Sequence, residues 1–152
     1  MNTIFRSLAT LALAGSLVLF GPSAHSAAPE DKPFAEHKIV LQISAADPRR
    51  QTLVLNVANN LVNHYGADMV DVEIVAFGPG LSLLFADNAN SGRIDALADS
   101  SKVRFAACEN TIAAVTRQRG SVPELNPKAT HVNAGVVRIM DLTAQGYTLI
   151  KP

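Results

Sequence analysis

The sequence has one cysteine, no tryptophan and few aromatic side chains, which make up 5% of its 152 residues. A lone cysteine, Cys108, cannot form a disulfide within the chain, so the fold depends on its hydrophobic core. Lysine plus arginine equal aspartate plus glutamate, at 13 each, and the formal net charge is zero. Because no basic stripe is interleaved with aromatic residues, the sequence argues against nucleic acid as a partner.

The sequence also lacks the spacing of metal ligands. His37, His64 and His131 stand far apart, and one cysteine cannot form a zinc knuckle. The segment Ser44–Pro48 offers no hydroxyl-rich cradle for a flavin phosphate, and it places Asp47 where an anion would bind. We therefore expect neither a metal nor a cofactor.

The N-terminal segment has the pattern of a secretory signal peptide. Arg6 precedes an uncharged apolar run from Ser7 to Phe20, and mostly small residues follow. The run is shorter than the roughly 20 apolar residues of a membrane-spanning helix. We expect cleavage after Ser26, to within about two residues, with a periplasmic or secreted product and no membrane contact after cleavage. Residues 27–36 are predicted to be a flexible lead-in.

The remaining residues, 37–152, are predicted to form one domain in which strands and helices alternate. β-Branched apolar runs predict strands, and apolar residues at helical spacing predict helices. The predicted strands are His37–Ser44, Asp71–Phe77, Val103–Ala107, Thr130–Val132 and Tyr147–Ile150, and the predicted helices begin after Asp47, at Arg93, after Cys108 and at Ala134. This order predicts an α/β fold: a five-stranded, mostly parallel sheet with helices on both faces and flavodoxin-like winding.

The topology of that fold predicts where a ligand would bind. Right-handed crossovers leave a few doubly wound strand orders, among them the flavodoxin-like 2-1-3-4-5. Ligands in such sheets bind at the carboxyl ends of strands.

The last helix is predicted to pack on the sheet through one side. Its residues Val136, Ile139 and Met140 are predicted to face the core.

Cys108 stands at one of these carboxyl ends, between a strand and a helix. The unpaired amides and partial positive charge of a helix start lower the pKa of a thiol and favour the reactive thiolate. Asn110 and Thr111 add hydrogen-bonding groups, whereas the negative charge of Glu109 opposes the thiolate. No histidine stands at the spacing of a Cys–His pair. His131 is distant in sequence and remains a candidate to lie near Cys108 in the folded chain. The alternative interpretation is a buried, inert thiol.

The Gly78-Pro79-Gly80 turn follows the second predicted strand and is the second candidate site. Its glycines allow a backbone nest that binds an anion, but a plain turn is the simpler interpretation. It is not a P-loop, because no Gly-Lys-Ser/Thr follows. The apolar segment Leu81–Phe85 is predicted to form a helical turn after it.

Four runs resemble the DsrE/DsrF-like family: Val75–Leu81, Val103–Thr111, Ala134–Ile139 and Gln145–Pro152. The resemblance extends over residues 37–152. It implies a five-stranded parallel α/β domain that assembles into trimers or hexamers. In the sulfur-relay members of that family, a cysteine at the matching strand end accepts sulfur as a persulfide, and Cys108 occupies that position.

Residues and resemblance together predict an exported sulfur carrier, more a carrier than a turnover enzyme. Cys108 is the predicted persulfide acceptor, and the expected partners are further copies of the chain and a protein that donates or accepts sulfur. The alternative is a non-catalytic oligomeric binding module with an incidental thiol. In that alternative, Leu81–Phe85 and the Gly78-Pro79-Gly80 turn serve assembly or a small ligand.

Overall fold

The computed structural model describes Lys32 and residues 34–152. The predicted signal peptide, residues 1–26, and most of the predicted lead-in lie outside the described residues. Within the part of the chain that is described, no helix is both long and apolar enough to cross a membrane.

Strands and helices alternate along the chain, as the sequence predicts. The strands are β1 His37–Ile43, β2 Val70–Ala76, β3 Arg104–Cys108, β4 Ala129–Val132 and β5 Thr148–Ile150. The α-helices are α1 Pro48–Tyr65, α2 Ser91–Ser101, α3 Glu109–Arg119 and α4 Gly135–Ala144, and a 3-10 helix spans Gly78–Leu84.

The five strands form one parallel sheet in the order β4-β3-β2-β1-β5. The predicted fold class is confirmed, but the strand order is not the flavodoxin-like 2-1-3-4-5. Each strand from β1 to β4 is added beside the previous one, and β5 returns to the far side of β1. As a result β2 separates β3 from β1, and Cys108 ends a strand that lies between β2 and β4.

The helices divide unequally between the two faces of the sheet. Right-handed crossovers in one direction put the connecting helices on one face, so α1, α2, α3 and the 3-10 helix pack against the larger core cluster. Only α4, which connects β4 to β5 in the opposite direction, covers the other face. There Ile139 and Leu142 pack on Val40, Val75 and Ala106. We refer to this side of the sheet as the α4 face.

The outer side of α4 differs from the prediction. Ile139 is buried as expected, but Val136 and Met140 are 58% and 64% exposed, and Val137 is 50% exposed. Apolar side chains occur on both the inner and the outer side of this helix, and the charged Arg138 turns inward to Glu73, so the residue types do not show which apolar side chains are buried.

The segment Leu81–Phe85 is buried within this chain. Leu81, Leu83 and Leu84 have no exposed surface and Phe85 is 8% exposed, all within the larger core cluster. The predicted helical turn is present as the 3-10 helix, but the suggestion that this segment serves assembly is wrong, because its side chains already contact this chain's own core.

Candidate thiol site at Cys108

Cys108 is the last residue of β3 and the N-cap of α3. Its neighbour on the strand, Ala106, packs on the α4 face, and side chains two apart on a strand share a face. The thiol therefore lies between the sheet and the start of α4. The residue is 5% exposed, so a small opening connects it with solvent.

Two helix N-termini meet at the Cys108 sulfur. The pKa of the Cys108 thiol lies below its ordinary value: burial raises it, but the nearby Thr111 hydroxyl and the backbone N–H groups of Gly135, the first residue of α4, and of Thr111 and Asn110 outweigh burial. The Cys108 side chain accepts no capping hydrogen bond from the first turn of α3, and the Asn110 N–H donates to the Asn133 carbonyl at 3.3 Å.

The Gly78 turn supports the site through Thr111. The Gly78 N–H donates to Thr111 Oγ1 at 2.9 Å. This hydrogen bond holds the Thr111 hydroxyl beside the Cys108 thiol, whose pKa it lowers.

The other residues of the turn have different roles. The Pro79 carbonyl accepts from Ser82 Oγ at 2.9 Å. At Gly80 an added Cβ would lie 2.4 Å from the Ile43 carbonyl oxygen, so a side chain does not fit between the turn and β1. The predicted binding residues Gly78, Asn110 and Thr111 are thus brought to the thiol, whereas Pro79 and Gly80 are placed in the packing of the turn.

Gly135 was not singled out by the sequence, although it lies in one of the four family-like runs. A Cβ at Gly135 would approach Cβ and Cδ1 of Phe77 at 3.0 Å, so the absence of a side chain lets α4 begin close to the sheet. That close approach brings the Gly135 N–H to Cys108. A glycine directly after a strand, at the start of an apolar helix, is the signal that could have identified it.

The sequence reasoning expected Glu109 to raise the pKa of the thiol. The Glu109 side chain lies beside His131, with Oε1 3.7 Å from His131 Nδ1, and both side chains are more than half exposed. The pKa of Cys108 lies below its ordinary value although this carboxylate is adjacent in the sequence.

A buried group of five polar side chains lies on the α4 face farther from the carboxyl ends. We call Asp71, Glu73, Arg104, Arg138 and Tyr147 the charged cluster. Arg138 donates from Nε and Nη2 to the two oxygens of Glu73 at 2.6 and 2.7 Å. Arg104 Nη2 lies 3.1 Å from Asp71 Oδ1 and 3.4 Å from Glu73 Oε2, and the Tyr147 hydroxyl donates to Asp71.

The charged cluster is electrostatically balanced. Asp71 and Glu73 are 4% and 2% exposed, and buried carboxylates require cations of this kind. The hydrogen bonds to Glu73 raise the pKa of Arg138, and burial with the hydrogen bond to Asp71 raises the pKa of Tyr147 to about 12. Two carboxylates at alternate positions of a strand predicted to be buried were the sequence signal for this cluster.

Metal ligands do not gather at the thiol. Among the described residues, no group of three or more His, Cys, Asp or Glu side chains could hold a metal ion. Fold and site thus define the class of protein: a single-domain parallel α/β protein with a hydrogen-bonded thiol at a strand end.

Comparison with known proteins finds similarity to solved structures. No family model matches the chain, and no curated protein matches it. The chain is similar to the solved structure of MTH1491, a protein of unknown function from Methanobacterium thermoautotrophicum, with a TM-score of 0.68 and 29% sequence identity. The match covers 77% of this chain and 100% of that chain.

Proposed function

We propose that this chain is an exported DsrE/DsrF-like protein that carries sulfur as a persulfide on Cys108. The observation that carries the proposal is the position of Cys108 at the N-terminus of α3 and close to that of α4, where the Thr111 hydroxyl and the Gly135 N–H lower the pKa of its thiol. Donors fixed in this way stabilise an anionic sulfur, both as the thiolate and as the persulfide anion formed from it. The four family-like runs support the same conclusion.

The transfer step needs only the thiolate and a sulfane-sulfur donor. The Cys108 thiolate attacks the outer sulfur of a donor R–S–SH, and a new S–S bond forms as the donor's S–S bond breaks. The donor leaves as a thiolate that takes up the persulfide proton, giving R–SH and Cys108–S–S⁻. A reverse transfer to an acceptor thiol completes the carrier cycle without any external oxidant.

A carrier fits this site better than a turnover enzyme. General acid–base catalysis requires a titratable side chain within hydrogen-bond reach of the reacting atoms. Here the groups that lower the pKa of the thiol are backbone N–H groups and the Thr111 hydroxyl, and His131 lies beside Glu109, 3.7 Å from its carboxylate. The site stabilises an anion, which is what a carrier must do.

The partners follow from the same proposal. The exposed apolar side chains Val136, Val137 and Met140 on α4 support a homo-oligomer, the assembly that the resemblance implies as a trimer or hexamer. A protein that donates or accepts sulfur completes the set. With the N-terminal pattern of a signal peptide, we place the carrier in the periplasm or outside the cell.

A non-catalytic oligomeric binding module is the second candidate. The same exposed side of α4 favours it, since a surface for assembly needs no reactive thiol. The two candidates differ at Cys108: in a pure binding module, Cys108→Ser leaves assembly unchanged and the wild-type thiol gains no sulfur.

The test is the mass of the intact protein after treatment with inorganic polysulfide. The carrier gains one sulfur atom, which dithiothreitol removes, and Cys108→Ser gains none because the chain has no other cysteine. Circular dichroism of both proteins controls for folding. A wild-type protein that stays unmodified, or a Cys108→Ser protein that is modified equally, would contradict the proposal.

A further inference from the structure

A cavity of about 200 Å³ lies on the α4 face, beside β3 and β4. Its lining includes Glu73, Arg104 and Arg138 of the charged cluster, with Thr130 and Val132 on the edge strand β4. Pockets for drug-sized ligands measure about 300–1,000 Å³. This cavity therefore suits a smaller molecule, of the size of an amino acid.

The cavity extends from the charged cluster to Val132, on the strand next to Cys108, and Cys108 itself does not line it. Val132 lines it and is the register partner of Cys108, and both side chains lie on the α4 face. Arg104, Ala106 and Cys108 follow one another on that face of β3. At about 3.3 Å per residue, the Cα atoms of Arg104 and Cys108 are about 13 Å apart. A small extended molecule held by the arginines thus points its far end toward the thiol.

Hydrogen-bond donors at the charged end are not all used by the chain. Arg138 binds Glu73 through Nε and Nη2, which leaves Nη1 outside that pair. Arg104 Nε has no hydrogen-bond partner among the described residues, but it is fully buried and does not face the cavity. A ligand carboxylate would accept from the free side of the Arg138 guanidinium.

The charge balance of the cluster selects the kind of ligand. Asp71 and Glu73 offset Arg104 and Arg138, so a simple anion would meet two carboxylates as well as two guanidinium groups. A zwitterion avoids this conflict, because its ammonium group can donate to Glu73 while its carboxylate accepts from Arg138. The Thr130 hydroxyl on the opposite wall is a further polar contact for the ammonium group.

We propose that this cavity binds the sulfur donor and that the donor is the persulfide of a small α-amino acid. This inference rests on the proposed function, because it supplies the donor for the same thiol. The zwitterionic head binds the charged cluster and the outer sulfur faces Cys108. The thiolate attacks that sulfur, the donor's S–S bond breaks, and the free amino-acid thiol leaves with the proton.

The test compares two donors on the folded full chain by intact mass. One is L-cysteine persulfide, and the other is 2-hydroxyethyl persulfide, which has no charged head. The rate at which each donor adds sulfur to Cys108 is divided by the rate at which the same donor transfers sulfur to a small free thiol in solution. We expect the wild-type protein to favour L-cysteine persulfide by about tenfold or more, and the unreactive S-methyl-L-cysteine to slow that loading.

The variant Thr130→Phe is designed to fill the cavity from the edge of the sheet. In this variant the normalised loading rates of the two persulfides should become nearly equal. Thr148→Phe is the matched control, since Thr148 is an exposed threonine on the opposite edge strand and should keep the wild-type ratio. Equal normalised rates in the wild type, no competition by S-methyl-L-cysteine, or an unchanged ratio in a folded Thr130→Phe protein would overturn the inference alone. If neither persulfide loads Cys108, the proposed function fails with it.

Discussion

At the scale of single residues, Thr111 is the side chain that contributes most to lowering the pKa of Cys108. Its hydroxyl oxygen also accepts from the Gly78 N–H, so the same side chain contacts the turn and the thiol site. A valine at this position has the same shape without the hydroxyl. The substitution therefore separates hydrogen bonding from packing.

We expect Thr111→Val to raise the pKa of Cys108, because a hydrogen bond to the thiolate is lost. Alkylation at pH 7 should slow about fivefold, as expected for the loss of about 1 kcal/mol. The Gly78 N–H also loses its acceptor, which should lower the free energy of unfolding by about 1–3 kcal/mol. Iodoacetamide kinetics and urea unfolding measure the two effects.

Thr116→Val is the control for this variant. Thr116 lies on the same helix and its hydroxyl donates to the Ile112 carbonyl at 2.8 Å, within the helix. The control should leave the alkylation rate unchanged. A Thr111→Val protein that reacts as fast as the wild type would show that Thr111 does not stabilise the thiolate.

Sequence reasoning found part of this residue-scale arrangement. The junction of strand and helix at Cys108 and the nearby Asn110 and Thr111 could be read from the chain. The Gly135 N–H could not, because it comes from a helix 27 positions away by numbering and reaches the sulfur only through the close contact with Phe77. Glu109 was given too much weight, since adjacency in sequence does not show which way a side chain points.

At the scale of elements, α4 has two functions in the fold. It covers its face of the sheet alone, held by the bidentate pair between Arg138 and Glu73. It also presents Val136, Val137 and Met140 to the outside. Three exposed apolar side chains on one helix are typical of an interaction surface, and this supports the proposed second copy of the chain against α4.

If the exposed side of α4 forms the proposed homo-oligomer, Val137→Glu should shift the protein to smaller species, because a carboxylate in an apolar interface must be desolvated. Leu53→Glu is the control: Leu53 is 43% exposed on α1, at the opposite face of the sheet, and the variant should keep the wild-type mass. Light scattering with size-exclusion chromatography measures both. A wild-type monomer, or a Val137→Glu protein of wild-type mass, would contradict the interface.

The helix pattern explains why the sequence misplaced this surface. Periodicity identified the helix and placed Ile139 correctly. Val136 and Met140 were also placed inward, because nothing in the residue types separates the two sides of α4. The reverse error occurred at Leu81–Phe85, whose apolar run was offered as an assembly surface and is core.

At the scale of the whole molecule, alternation of strands and helices predicted the parallel sheet, but the strand order was not encoded locally. A connecting helix of the same length, with the same turn residues, can place the next strand on either side of the previous one. The order β4-β3-β2-β1-β5 leaves α4 alone on one face. The carboxyl end of β3 lies under the first turn of α4. The thiol, the cavity and the exposed helix thus lie on one side of the molecule.

The central claim is that the folded chain holds Cys108 as a poised thiolate. The most direct measurement is the rate of Cys108 alkylation by iodoacetamide in the folded full chain from pH 5 to pH 10. Only the thiolate reacts, so the rate rises through the pKa, and a lowered pKa moves that rise to lower pH. We predict a midpoint below the value of about 8.5 expected for a free cysteine, and below that of the same chain in denaturant. A midpoint equal to or above that of the denatured chain would contradict the claim.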